Sequence, residues 1–463
     1  MLRKVLLVLG PMSFAVAALF ACEGDNGSGA GGVLDAGKLD VTTTPPFDGD
    51  SAAAVDGQVT PAAVSVTVSG TLLDGVNVIF HDANGLVLDK SQTGVDGKAS
   101  SSAAGIAMVT ALQARDTVRH AVTWTNVVPG DNLTLTELPS TAPAGTYTVT
   151  VPQLLGNREG YDVYSGACSS GIAPNAGTSP VVTLSSFRCI GASPTAILAS
   201  ALLATTGATN FLFTKTGSAA PFGGTNVAAT LTGAWTAPST TTLSVTNNTA
   251  AATLRTSVGE IANGLIFAPT LSQSITTETA SFAYPAGFAD ALLAQVITGT
   301  GGSARQIATR YAAGPTVSFD YAQLLGTITG STLDASNATR PVVTWGGDST
   351  ANTDGGLVTF AFAVPGDETN TYSWTFVVAP GATAITAPAL PADASFAPLP
   401  DAGATSFGRA AVQFFEADVF GSPASFRQQQ GVILGPDTGT TLRTAPALTA
   451  NGTFRSTGYF QLR

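Results

Sequence analysis

The sequence predicts an all-β protein: several β-sandwich modules in series after a disordered tether. Three observations carry that prediction. Apolar and polar residues alternate along most of the chain, turn-forming pairs recur every ~8 to 15 residues, and only 11% of residues are charged. Alternation buries one face of a strand and leaves the other in water. It is plain in "VSVTVSGTLL" (Val64, Val66, Val68), in "LVTFAFAV" (Val358, Phe360, Phe362, Val364) and in "YSWTFVV" (Tyr372, Trp374, Phe376). Asp74-Gly75, Asn84-Gly85, Asp96-Gly97, Pro129-Gly130, Asn263-Gly264, Pro380-Gly381 and Asn451-Gly452 supply the turns, a spacing that suits sandwich modules.

At the amino terminus, Arg3 and Lys4 precede a 16-residue apolar run from Val5 to Phe20. That run is short for a membrane-spanning helix, which needs about 20 apolar residues. A positive start, a short apolar core and a small residue make residues 1–21 a secretory signal. The stretch Leu19-Phe20-Ala21-Cys22 is similar to the lipobox of bacterial lipoproteins, with an apolar residue three before the cysteine and a small one just before it. Phe20 departs from the small residue usual at its place. The resemblance implies a diacylglyceryl group on the Cys22 thiol, cleavage after Ala21 and acylation of the new amino terminus. Several acyl chains anchor a protein stably where one does not. Plain secretion and an uncleaved anchor are the competing readings.

Residues 22–63 are expected to be the lipidated cysteine and a disordered acidic linker. Residues 23–63 hold seven acids (Glu23, Asp25, Asp35, Asp40, Asp48, Asp50, Asp56) against one base, Lys38, and few large apolar side chains. Such a segment buries too little surface to offset its chain entropy. The whole chain carries a formal charge of −11. That acidity argues against nucleic acid and against electrostatic docking on anionic lipid. The membrane is therefore expected as a partner only through the N-terminal lipid.

The remaining ~400 residues suffice for two to four domains. "VTWTNVVPGDNLTLTELP" (122–139) echoes "YSWTFVVAPGATAITAPALP" (372–391), and "TRYAAGPTVSFDYAQLL" (309–325) is a weaker third copy. Read as hairpins, the copies suggest three or four modules in series. "AGFADALLAQVI" places Phe288, Leu292 and Val296 at helical spacing, so a helix is expected there. "SPTAILASALLA" is open between strand and helix.

"VSGTLLDGVNVIFHDANGLVLDKSQTGVDGKAS" resembles the carboxypeptidase regulatory-like domain, a transthyretin-type β-sandwich. Gly70, Gly75-Val76-Asn77-Val78 and Thr93-Gly94-Val95-Asp96-Gly97 carry the likeness. Val76 and Gly94 depart from the family's small and acidic residues. The resemblance covers residues 64–139 and implies a structural or adhesive, non-catalytic module. "GTITGSTLDASNATRPVVTWGGDS" with "GGLVTFAFAVPG" resembles the opening of a fibronectin type III sandwich, with Trp345 at the place of its core tryptophan. This makes 326–463 a C-terminal fibronectin III-like module. Residues 140–325 then hold one or two further Ig-like or fibronectin III-like modules.

Besides Cys22 the chain has Cys168 and Cys189. A pair of cysteines in an exported chain reads as a disulfide, and turn formers between two alternating strands could bring them together. Free thiols or a metal site are the alternatives, although two cysteines without a nearby His make a poor metal site.

Catalytic constellations are scarce. The two histidines, His81 and His120, lie in the first module, and no nucleophile elbow occurs. Asp367-Glu368 and Glu416 with Asp418 are the acidic pairs that could serve a glycosidase; each also suits a solvated strand rim. Asp82, Asn84, Asp89 and Asp96 offer oxygens for calcium but lack the spacing of a dedicated loop, and an Asx turn is the simpler reading. "GTGGSAR" (299–305) lacks the lysine and setting of a phosphate loop. Trp124, Trp235, Trp345 and Trp374 could stack on sugars but sit in alternating strands, where burial is the rule. No catalytic residue, cofactor or metal site is therefore expected.

An outer-membrane β-barrel is disfavoured because Pro and Gly break the strands. The expected protein is a lipid-anchored cell-envelope surface protein, on the outer membrane or cell surface of a Gram-negative envelope. Its expected role is structural, adhesive or ligand-binding, with a glycan or protein as ligand. A carbohydrate-active hydrolase using paired carboxylates is the alternative.

Overall fold

This computed structural model describes residues 62–459, less internal stretches of which the longest are 139–145, 174–180, 186–195, 216–226, 392–405 and 434–451. The expected signal, almost all of the tether, and Cys22, Cys168 and Cys189 lie outside the described residues.

The first module holds β1 (Val64–Ser69), β2 (Asn77–His81), β3 (Val87–Gln92), β4 (Lys98–Ser101), β5 (Met108–Arg115), β6 (Val118–Thr125) and β7 (Asn132–Thr136). One sheet has the order β4-β1-β7, with β1 and β7 parallel. It faces the four strands β3-β2-β5-β6. Val64, Val66 and Val68 of β1 meet Val78, Phe80, Val109, Ala111, Val122 and Trp124 in one core, as alternation demands.

The same strand order occurs twice more, with two short strands at the place of β3 in the third module. The second module comprises β8 (Thr146–Thr150), β9 (Asn157–Tyr164), β10 (Ser170–Ala173), β11 (Val181–Ser185), β12 (Ile197–Leu203), β13 (Thr209–Thr214) and β14 (Val227–Thr230). Its sheets are β11-β8-β14, again with the first and last strands parallel, and β10-β9-β12-β13. The third comprises β15 (Ser239–Thr246), β16 (Leu254–Ala262), β17 (Leu265–Ile266), β18 (Leu271–Ile275), β19 (Thr279–Tyr284), β20 (Ala291–Ile297), β21 (Ala304–Ala312) and β22 (Thr316–Asp320). Here β19-β15-β22 faces β16-β20-β21, with β17 and β18 both on the outer edge of β16.

The C-terminal module differs. It is built from β23 (Ile328–Asp334), β24 (Val342–Gly347), β25 (Gly355–Ala363), β26 (Thr371–Val378), β27 (Ala384–Thr386), β28 (Ser406–Phe407), β29 (Ala411–Ala417), helix α1 (Pro423–Ile433) and β30 (Thr453–Tyr459). Three strands, β23-β24-β27, lie over β30-β29-β25-β26, with β28 on β25. This is a Greek-key sandwich of the Ig and fibronectin type III kind.

The edges of these modules are hydrogen-bonded to one another. A 14-stranded sheet runs β17-β16-β20-β21-β30-β29-β25-β26-β6-β5-β2-β3, with β18 and β28 to the side. At one joint β26 pairs in parallel with β6, Ala121 opposite Trp374. At the other, β30 is held between β29 and β21. Such pairing removes four strand edges that would otherwise be open to aggregation. The second module instead packs a face: Leu198 and Phe211 meet Phe267 and Phe288 of the third.

Two expectations are corrected, and one open reading is settled. "AGFADALLAQVI" forms a strand over Ala291–Ile297, because Leu292, Ala294 and Val296 alternate into the third module's core between β16 and β21. Tertiary pairing overrides the helical spacing. "SPTAILASALLA", open between strand and helix, forms strand β12. The echoing segments are not hairpins, for β7 pairs with β1 and β27 with β24. In each, the chain crosses from one sheet of a sandwich to the other, through Gly130 and Gly381 at φ +90° and +74° in the first two copies. The first and third copies occupy equivalent positions, whereas the second copy's strand β26 lies beside the first's, β6.

Candidate functional site

The acidic pairs are engaged in local structure. Asp367 accepts hydrogen bonds from the Tyr372 hydroxyl and the Asn370 side-chain amide. These hold its carboxyl down at about 2, so it keeps no proton to give. Glu416 lies in β29 and Asp418 in the turn just past its end, and Glu416 is paired with the Arg455 guanidinium at 2.6 Å. Asp418 accepts from the Thr453 amide at 2.8 Å. Asp354, which the sequence did not single out, joins them by accepting from the Ala417 amide at 2.8 Å. Burial, followed by the charges of Glu416 and Asp418, pushes its carboxyl up against the opposing pull of that amide.

Of the oxygen donors considered for calcium, Asp82 and Asp96 cap turns and Asp89 lies in strand β3. The Asp82 carboxylate accepts from the amides of Asn84 and Leu86, and Asp96 from that of Lys98. Asp89 takes the Ser101 hydroxyl at 2.6 Å. Among the described residues no group of three or more His, Cys, Asp or Glu is placed to hold a metal ion. The "HDANG" turn serves a different purpose. Arg340 of the C-terminal module donates to the Asn84 carbonyl, and the Ala389 amide donates to that of Gly85 at 2.9 Å. Gly85 has φ +75°, and a Cβ there would lie 2.9 Å from the Pro388 Cα, so the approach demands glycine.

Trp124 and Trp374 are fully buried, and Trp345 nearly so. Trp235 stacks against Tyr161 at 5.6 Å and donates to the Pro152 carbonyl. All four serve cores rather than an open sugar-binding face.

The most developed polar arrangement is centred on the β6–β26 seam, with His120 at the seam itself and His81 two strands away on β2. On one face His120 Nδ1 is 2.7 Å from the Ser373 hydroxyl, its partner across the seam. On the other, the Trp374 indole N–H donates to the Thr123 hydroxyl at 2.8 Å. That hydroxyl is 2.9 Å from Thr110's, which lies 3.0 Å from His81 Nε2. Burial lowers both histidines to about 4. For His81 the Asp82 charge and the Gly85 backbone pull upwards and Arg340 pulls down. The sequence placed both histidines in the first module, but the Ser373 partner of His120 lies 253 residues further on.

A second clasp joins the same modules. The Arg427 guanidinium of α1 binds both oxygens of the buried Asp131 carboxylate at 2.9 and 3.1 Å, and the Gln428 amide adds a third bond. No helix was read from "PASFRQQQGVI", whose apolar residues are few. Its start does carry a signal: Ser422 accepts from the Ser425 amide as an N-cap, and Pro423 takes the first helical position.

No family model matches the chain, and no curated protein matches it. Among solved structures, the FN1–FN3 domains of chicken CNTN1 align with 57% of this chain and 85% of their own, at 8% identity and a TM-score of 0.13. An overlap that small carries no argument.

Proposed function

We propose that this is a lipid-anchored surface protein of the cell envelope, with a structural, adhesive or ligand-displaying role and no catalytic one. The observation that carries the reading is the sheet continuous through three modules. Edge-to-edge pairing turns a string of sandwiches into one stiff body, which suits holding a surface away from a membrane. The cost of the structural role falls on residues a hydrolase would need free: Asp367 and Glu416 are both bound to neighbours. The carboxypeptidase regulatory-like resemblance of residues 64–139 and the lipobox-like seam at Cys22 point the same way. The outer membrane or cell surface of a Gram-negative envelope is the expected place, and a glycan or protein the expected ligand.

Cys22→Ser is expected to abolish labelling by fatty acid and to release or misprocess the protein; unchanged labelling would remove the anchor. Protease shaving of intact cells should degrade residues 64–459, and complete protection would remove surface display. We further propose that Cys168 and Cys189 form a disulfide that staples the second module. Export supplies the oxidising setting, and closing a loop of that size contributes about 3 kcal/mol. Mass mapping of the unreduced protein should show one cross-linked peptide, whereas two alkylatable thiols would rule the staple out.

A further inference from the structure

Each face of the β6–β26 seam is crossed by a hydrogen bond that ends on a buried histidine: His120 meets Ser373 directly on one face, and Trp374 reaches His81 through Thr123 and Thr110 on the other. His120 lies on the face of Val122 and Trp124, opposite Gln113 on β5 and Ser373 on β26. His81 ends the chain Trp374–Thr123–Thr110 on the other face, that of Ala121 and Phe376. An indole N–H can only donate. With Trp374 donating into Thr123, both hydroxyl hydrogens find an acceptor within the chain only when Thr123 donates to Thr110 and Thr110 to the lone pair of His81 Nε2. A proton on that nitrogen puts a donor at both ends of the chain, and one hydroxyl hydrogen loses its acceptor. At His120, protonation places a charge among groups that are all neutral: Gln113, Ser373 and the surrounding apolar core.

We propose that this seam is an acid-opened joint: protonation of His81 and His120 parts β6 from β26, with the Asp131–Arg427 clasp left to tether the two modules, while the second module stays folded. Both protons come from solvent, and no covalent bond changes. The second module provides the contrast, since the chain has no other histidine. The charged groups that act on His81 are Asp82 and Arg340, of opposite sign, and the residues paired with His120 on either side, Gln113 and Ser373, are neutral. The direction follows from linkage. A histidine held at about 4 when folded, against an ordinary 6.5, binds its proton first in the opened state. The joint is therefore at full strength above pH 6.5, weakens as pH falls towards 4, and changes no further below that.

Amide hydrogen exchange on the full chain tests this at pH about 7 and about 4, corrected for intrinsic rates. Protection over 118–125 and 371–377 should fall at least ~10-fold at the lower pH, relative to strands β9 and β12 of the second module. No seam-specific loss, or an equal loss in β9 and β12, would overturn the proposal. The double variant His81→Gln/His120→Gln, if folded, should keep its seam protection at low pH. An undiminished acid response in it would assign the effect to carboxylates instead. If that variant does not fold, the comparison within the wild-type chain decides.

Discussion

Trp374→Ala is expected to destabilise the protein by about 4 kcal/mol, in the range for emptying a fully buried Trp site. The side chain is wholly excluded from solvent. It stacks on Phe376 at 5.2 Å and lies 6.2 Å from Phe360. Its loss leaves a cavity in the core that joins the two modules, and it also takes the N–H that anchors the Thr123–Thr110–His81 chain. Trp374→Phe keeps most of the volume and loses the donor, so it should cost only about 1–2 kcal/mol. Denaturant unfolding followed by the tryptophan and far-ultraviolet signals measures both. Equal costs for Ala and Phe would mean that the hydrogen-bonded chain, and not packing, holds this face of the seam.

The second large effect is expected at the helix clasp. Asp131→Ala removes the carboxylate that Arg427 grips with two nitrogens and leaves the guanidinium, largely buried, with no counter-charge there. Breaking a buried pair from one side costs about 3–5 kcal/mol. Asp131 also accepts from the Val128 amide and so shapes the turn before β7. The clearest readout is limited proteolysis: α1 should become cleavable while the module cores stay protected. The double variant Asp131→Asn/Arg427→Met removes both charges and keeps an acceptor for the turn, so it should recover much of the loss. A single variant as protected as wild type would show that α1 is held by Phe426, packed between Phe415 and Phe420, rather than by the ion pair.

Several features of the fold could be read from local pattern. The valines of β1 alternate into the core, and so do Phe360 of β25 and Trp374 of β26. Alternation reports which face of a strand is dry, and that suffices for an all-β sandwich protein. The pattern reports less where two kinds of element share it. Residues 286–297 carry apolar side chains at both helical and alternating positions; the flanking strands β16 and β21 settled the matter, and their contribution is not local. Conversely, α1 has too few apolar residues to show a period, because much of its docking is polar, through Arg427 and Gln428.

The site residues divide along the same line. Asx turns are contacts within a few residues, so Asp82 was legible as a turn former from "HDANG" alone. Arg455, which neutralises Glu416, lies 39 residues away, and Ser373, which meets His120, lies 253 residues away. No spacing rule spans such distances.

By itself, then, the sequence determined the strand content, the buried face of most strands and the turns, because each depends on neighbours within a few residues. Only the tertiary structure decided that three of the modules share one sheet, that the echoing Trp segments lie side by side and that His120 bonds across the seam between them. Those outcomes depend on which strand edges meet, and an edge offers the same backbone N–H and C=O groups whatever its side chains.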